Sequence, residues 1–201
     1  MYLYGASGHG KVIAEIAEEC NIKIDAFIDF DLSKNHLLDY NVIHKVPTEN
    51  IEAIISIGSN RVRRNIVAQY KNFSYTKLFH PKAFISKRAS IGVGTVVMAG
   101  STINSHTIIG EHCIVNTNSS IDHDCTLEDF VHISPNVSLA GDVFVGFASH
   151  IGIGACVIQG IRIGKWCTIG AGAVIIRDIP DGCVVAGNPG KILKTKDITE
   201  F

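Results

Sequence analysis

His123 and Asp124 are adjacent, and an imidazole beside a carboxylate is a pair that general-base chemistry uses. A carboxylate in reach fixes the tautomer, stabilises the imidazolium and raises the basicity of the ring. Such a base takes the proton from an amine or hydroxyl as it attacks a thioester. The pair sits among other polar residues: Asn104, His106, His112, Asn116, Asn118, Asp122, His132, Asn136 and His150. The bland alternative is a set of surface side chains, and His112, with no evident partner, is read that way. Three of the histidines, His106, His123 and His132, could be forced into a zinc site. The His-Asp pair fits that poorly and no CxxC or zinc spacing is present, so no metal is expected.

A second candidate lies at the amino end. Gly5-Ala6-Ser7-Gly8-His9-Gly10 forms a tight loop between a short strand, Met1–Tyr4, and a helix expected over Lys11–Cys20. Backbone N–H groups at a helix N-terminus attract phosphate. The spacing is G-x-x-G-x-G, which is not the dinucleotide fingerprint, so NAD is not expected. Ser7, Gly8 and His9, then Asp29 and Phe30, then Gly58, each follow an expected strand. In an open parallel sheet that edge is where ligands bind.

The elements that position these residues are legible from a period. From Ile85 to Ile175 every sixth residue is aliphatic, and two residues before each stands a second, mostly small, series such as Ala89, Ser101, Cys113 and Ala155. Alternation along a strand turns i and i−2 to one face. Three such hexapeptides close one coil of a prism of about 18 residues, with coils stacked at about 4.8 Å. The pattern resembles the left-handed β-helix of the hexapeptide acyltransferases; the hand comes from that resemblance. Residues two and three past each aliphatic fall at corners, so His123 and Asp124 are expected there, open to a neighbour. His106 should stack with Asp124, and His132 with His150 on an outward strand face.

Ahead of the prism, strands at Met1–Tyr4, Ile24–Ile28, Ile51–Ile57 and Thr76–Phe79 and helices at Lys11–Cys20 and Arg61–Asn72 predict a small parallel, Rossmann-like α/β unit. Asp31–Asn41 reads as loop. The resulting division is residues 1–79 for the α/β unit, 80–178 for the β-helix and 179–201 for a C-terminal extension. The phase fails at Asp181, and Asp178–Gly182 reads as a turn.

A net charge of −1 over 201 residues argues against a nucleic-acid or polybasic membrane surface. No apolar run reaches membrane-spanning length and no signal peptide is read after Met1, so a cytoplasmic protein without membrane insertion is expected. Cys113, Cys125 and Cys167 occupy small inward slots. Cys113 and Cys167 are three coils apart, roughly 14 Å at the spacing between strands, which is beyond disulfide reach. They are read as core thiols.

Several motifs together carry a family resemblance. Tyr4-Gly-Ala-Ser-Gly-His-Gly10, Ile57-Gly58-Ser-Asn60, His80-Pro81, Asn116-Thr-Asn-Ser-Ser-Ile-Asp-His-Asp124 and His132-Ile-Ser-Pro135 resemble the sialic acid O-acetyltransferase/PglD-like family of hexapeptide-repeat sugar acetyltransferases. That family includes UDP-4-amino-sugar N-acetyltransferases of bacterial glycan biosynthesis. The resemblance implies an acetyl-CoA-dependent homotrimer with sites between neighbouring β-helices. It implies His123 as general base, tuned by Asp124, where some members carry Glu. It implies Asn116 in the active site, His132 against acetyl-CoA, and Ile153 and Ala171 in the coenzyme groove. Ala171 falls where a relative has Gly, so its backbone role alone transfers. Ser7, Gly8, His9, Asp29, Phe30 and Gly58 match the nucleotide-sugar site, and Val185–Lys191 resembles the usual ending of hexapeptide transferases. The implied reaction is N-acetylation of a nucleotide-linked amino sugar. O-acetylation of a sialic-acid-type sugar and non-catalytic nucleotide-sugar binding are the alternatives. The zinc site of the γ-class carbonic anhydrases is set aside.

Overall fold

The computed structural model describes residues 1–198. The last three residues of the expected C-terminal extension lie outside the described residues. The amino-terminal unit runs β1 (Tyr2–Tyr4), α1 (Gly8–Glu19), β2 (Ala26–Ile28), β3 (His36–Leu37), β4 (Tyr40–Ile43), β5 (Ile51–Ile55), α2 (Asn60–Gln69) and β6 (Phe73–Tyr75). Its sheet has the order β3-β4-β2-β1-β5-β6, parallel except for β3 against β4. Tyr4 pairs with Ile28 on one side and Ile55 on the other. The three central strands therefore end together, and the residues after them line one edge.

Two expectations are corrected here. The stretch 31–41 is not all loop: His36–Leu37 and Tyr40–Ile43 form a hairpin that covers β2. The strand expected over Thr76–Phe79 is split. Phe73–Tyr75 pairs with β5, whereas β7 (Leu78–Phe79) pairs with Val96–Val97 and already belongs to the prism. Phe79 stands six residues before Ile85, so it is in phase with the repeat.

The rest is a three-sided parallel β-solenoid. Each two-residue strand pairs with the strand 18 residues on, as in Val97 with Val115, Ile103 with Ile121 and Ile109 with Leu127. The aliphatic positions stack into one buried core with the inward Cys113, Cys125 and Cys167. Polar residues in the small slot bond a corner carbonyl of the same turn: Thr107 Oγ1 donates to Asp122 O at 2.7 Å and Ser149 Oγ to Gly164 O at 2.6 Å. Cys125 Sγ does the same to Ala140 O at 3.2 Å. This satisfaction lets a polar group sit in the core without cost.

Corners are made by residues in the left-handed region, among them His106, His112, Asn118, Asp124, Phe130 and Asp142. That conformation costs about 1–2 kcal/mol for most side chains. The coils above and below impose it: Asp124 N donates to Ser105 O at 3.0 Å and Asp142 N to His123 O at 2.9 Å.

The prism also continues past its expected end. From Ile175 the next inward residue, Ile179, comes after four residues, and Val185 after six more. Ile179 bridges Ile163, and Val185 pairs with Ile169. The final coil is two residues short. Asp178 Oδ1 takes the Arg162 N–H at 2.8 Å and Asp181 Oδ1 the Lys165 N–H at 2.7 Å. The Asp178 carboxylate thus replaces the carbonyl that Phe144 N–H finds one coil earlier, whereas the Asp181 bond repeats the corner bond that Glu111 N–H makes to Asp129 Oδ1 in a full coil.

Candidate active site

His123 sits at the corner between the second and third sheets. Asn104 donates to Asp122 Oδ1 at 2.9 Å, and the same oxygen takes the His123 N–H at 2.8 Å. That pins the corner. His123 Nδ1 lies 2.8 Å from Asp124 Oδ2. With Nδ1 donating to the carboxylate, Nε2 carries the lone pair. Both side chains are more than half exposed. The hydrogen bond to Asp124 and then the charge of Asp122 raise the His123 pKa. The ring lies over Gly141, one coil on. A Cβ there would come within 2.6 Å of His123 Cε1 and 2.8 Å of Nε2. His106 shares the corner column of Asp124, as expected, but its Nδ1 is engaged by Ser105 Oγ at 3.0 Å.

A second group forms where the α/β unit covers the first sheet of the prism. His132 and His150 stack with centroids 4.6 Å apart and planes at 15°. They stack on the outer face of the prism as expected, but that face is covered: the α/β unit packs on it, and Leu78, Val96 and Ile114 share a core with Leu3, Ile13 and Ile16. His132 Nδ1 meets Gly58 O at 3.2 Å, and its Nε2 meets Asn116 Nδ2 at 3.3 Å. His9 approaches from α1, its ring 6.4 Å from that of His132, and Ser134 Oγ lies 2.7 Å from His150 Nε2. Burial pushes the pKa of His132 down to about 2 and that of His9 to about 4, with the charge of Arg63 acting in the same direction. The structure thus brings His9, Gly58, Asn116 and His132 together. His112 is likewise internal, stacked on Phe130 with centroids 5.2 Å apart, and not a surface residue.

The third group is the sheet edge. Helix α1 begins at Gly8, three residues before the expected Lys11, so the Gly-rich loop itself is the helix N-terminus. Ser7 is the N-cap, and its hydroxyl makes no capping bond. A Cβ on Gly8 would meet nothing within 4 Å, so the loop is open to a ligand there. Asp29 accepts from Ala6 N at 2.9 Å, Asp31 N at 3.0 Å and Lys34 Nζ at 2.8 Å. Burial works against its charge, but the Lys34 ammonium and those N–H donors hold its pKa below the usual carboxylate value. Phe30 is 54% exposed, edge-on to Tyr4 at 6.2 Å.

Exposed Ile153 and Ala171 lie on the corner between the first and second sheets, joined by the Gly172 N–H to Ile153 O bond at 2.8 Å. Asn116 opens the same corner two coils earlier. His123 is one sheet away from it, across a face carrying Ser120, Ser138 and Cys156. One chain therefore does not bring His123 to Asn116, His132, Ile153 or Ala171. Among the described residues no group of three or more His, Cys, Asp or Glu could hold a metal ion.

Sequence reasoning missed Arg63, the residue that joins the two units. It is 2% exposed, and its five N–H groups meet His112 O, Ile57 O, Gly58 O, Asn60 Oδ1 and Phe130 O at 2.9–3.2 Å. Asn60 adds bonds to Ala148 O at 2.9 Å and Ser149 O at 3.2 Å. The signal was present: Asn60, Arg63 and Ile66 recur at helical spacing on one face, and that face is the buried one.

Comparison with known proteins agrees with this fold. Residues 1–70 match the PglD N-terminal domain. The acetyltransferase domain of PglB from Neisseria gonorrhoeae FA1090, in complex with acetyl coenzyme A, is 40% identical, with 96% of this chain and 98% of that one covered and a TM-score of 0.89. A mutant GDP-perosamine N-acetyltransferase from Caulobacter crescentus, in complex with CoA and GDP-perosamine, is 32% identical, with 96% of each chain covered and a TM-score of 0.90. A curated relative, UDP-N-acetylbacillosamine N-acetyltransferase of Bacillus subtilis (strain 168), is 37% identical over 108 residues, and the match spans 48% of this chain and half the length of that protein. This chain belongs to the PglD-like family of hexapeptide-repeat acetyltransferases.

Proposed function

We propose that this protein moves the acetyl group of acetyl-CoA to the amino group of a nucleotide-linked amino sugar. The observation that carries the reading is His123: Nδ1 is held by Asp124 at 2.8 Å, and the lone pair on Nε2 lies at an exposed corner. The relatives supply the two substrates by analogy, since one is bound to acetyl coenzyme A and another to CoA and GDP-perosamine.

The roles follow from position. The α1 N-terminus at Ser7 and Gly8 receives the phosphates, with His9 beneath them and the Gly58 turn alongside. Exposed Phe30 offers a ring face to the base, and Asp29 holds the loop through Ala6 N–H. Asn116 and His132 border the acyl group, and Ile153 and Ala171 edge the coenzyme groove. The neutral amine attacks the thioester carbon, forming the C–N bond. His123 Nε2 takes the proton from nitrogen as the C–S bond breaks and the CoA thiolate leaves; that proton then passes to the thiolate. His123 stands one sheet away from the other residues of its own chain. A neighbouring subunit therefore supplies the base, and the working form is a homotrimer. A cytoplasmic location accords with both substrates.

Purified protein, acetyl-CoA and a panel of nucleotide-linked amino sugars test the reading through thiol release and product mass. The expected product is heavier by one acetyl group on nitrogen. Acetylation only of a hydroxyl would transfer the assignment to O-acetylation. Binding of the nucleotide sugar without thiol release would make the protein a non-catalytic binder.

A further inference from the structure

Arg63 is a buried cation whose partners are five neutral oxygens, one for each of its N–H groups. No carboxylate is among them. One of the five, the Gly58 carbonyl, takes Arg63 Nη1 at 2.9 Å and also His132 Nδ1 at 3.2 Å. A carbonyl can only accept, so the proton of His132 is on Nδ1. On the other side, Thr117 N–H donates to Asn116 Oδ1 at 2.8 Å. A backbone N–H can only donate, so the carboxamide orientation is settled and Asn116 Nδ2 faces His132. The 3.3 Å contact is then an N–H of Asn116 donating to the Nε2 lone pair. A second proton on His132 would set N–H against N–H at that contact. One N–H of Asn116 is left over for a ligand.

We propose that Arg63 is a positioning residue which, through the Gly58 carbonyl, locks His132 as the neutral Nδ1–H tautomer, so that His132 holds Asn116 with one N–H presented to the carbonyl oxygen of the acyl group. The inference rests on the acetyl-transfer reading above. The titratable groups facing His132 oppose a second proton, His150 from the next coil, Arg63 from α2 and His9 from α1, and the Gly58 carbonyl, which acts the other way, is outweighed. Asn116 carries the N–H offered to the acyl oxygen, and Arg63 acts on it through His132. A donor aimed at the thioester oxygen stabilises the charge that develops there when the amine attacks. Because Gly58 also belongs to the nucleotide-binding edge, the two substrate sites share one hydrogen-bonded chain.

Proton–nitrogen correlation spectra of the full chain, labelled at histidine and assigned with His132→Gln, test the lock without substrate. His132 should show the Nδ1–H neutral pattern, unchanged from about pH 8.5 to about pH 5.5, where an ordinary histidine titrates. An Nε2–H pattern, or titration inside that range, overturns the lock. In Arg63→Lys, which keeps the charge but loses the fork, His132 should populate both tautomers; if that variant does not fold, the wild-type spectrum still decides. A double-mutant cycle on kcat tests the positioning role. His132→Gln should lower kcat in the wild-type background but by less than about two-fold once Asn116 is Ala, because residues acting as a unit are not additive. Equal losses in both backgrounds overturn it. Should wild-type protein transfer no acetyl group to any acceptor, the functional reading fails, and the spectra still judge the tautomer.

Discussion

Arg63 and His132 share one acceptor: the Gly58 carbonyl takes Nη1 of the first at 2.9 Å and Nδ1 of the second at 3.2 Å. A guanidinium with no carboxylate partner and a buried imidazole meet on a carbonyl at the strand-end edge of the α/β sheet. The same fold treats His123 in the opposite way. That imidazole is exposed and its Nδ1 meets a carboxylate, so its pKa rises, whereas burial and Arg63 push that of His132 down. Two histidines driven apart by their surroundings can take two roles, one moving protons and the other holding a neighbour.

Gly141 should matter for rate and not for folding. The nearest atoms its added Cβ would meet belong to the exposed His123 ring. Gly141→Ala should therefore leave Tm nearly unchanged while displacing the base. A misplacement of about 1 Å costs up to about 10²-fold in rate. Steady-state kinetics with a melting curve check this; wild-type kcat in Gly141→Ala would mean that the ring position is immaterial.

Gly8 separates the two substrates. A Cβ there has open space, so Gly8→Trp should fold. It should raise KM for the nucleotide sugar at least about tenfold, the loss expected when roughly 1.4 kcal/mol of binding is removed, and leave acetyl-CoA affinity unaltered. Calorimetric titration of each ligand checks it. An equal loss of acetyl-CoA binding would mean that the α1 N-terminus does not serve the nucleotide.

The buried histidines set the acid limit of stability. His9 and His112 have pKa values pushed down to about 4 and His132 to about 2, and His150 is lowered as well, in each case by burial first. A lowered value means that the unfolded chain binds more protons than the folded one below the ordinary histidine pKa of about 6.5, so stability falls with pH there. Each such histidine removes up to about 1.4 kcal/mol per pH unit. Urea unfolding between about pH 7.5 and pH 5 should show the fall, and His112→Phe should reduce its slope. A flat profile would place these rings in contact with water.

The proposed function requires His123 from a neighbouring subunit. Light scattering at micromolar concentration should give three times the mass of one chain. Mixed trimers of His123→Ala and Asn116→Ala chains, each strongly impaired alone, should regain activity, because some sites then combine an intact His123 with an intact Asn116. No recovery after subunit exchange would place both residues of a site on one chain.

The prism was legible because its physics is periodic. An aliphatic at every sixth residue fixes the inward face, and the corner location of His123 and Asp124 follows. What escaped was set by contacts between units. Phe79 was in phase with the repeat, but a single strand outside a run carries no period of its own. The four-residue step from Ile175 to Ile179 resembled an ending until the Ile163 bridge showed the coil continuing. His132 and His150 have the alternation of an outward face, and only the docking of α1 and α2 covers them. Arg63 shows the same limit from the other side, since its helical spacing with Asn60 and Ile66 marks a buried face but not the carbonyls that meet the guanidinium. The hairpin at 36–43 lacked the apolar alternation that marks a strand.

The central claim is that His123 is the base, and kcat measured against pH for wild type, His123→Ala and Asp124→Asn tests it most directly. The raised pKa of His123 predicts an acidic limb above the ordinary histidine value of about 6.5, with kcat falling as pH falls and the ring becomes protonated. Asp124→Asn should move that limb to lower pH and cost less than loss of the ring. His123→Ala should lower kcat by about 10²–10⁴-fold, abolish the limb and leave both KM values nearly unchanged. Near wild-type kcat in His123→Ala with the acidic limb intact would contradict the account and place the base elsewhere.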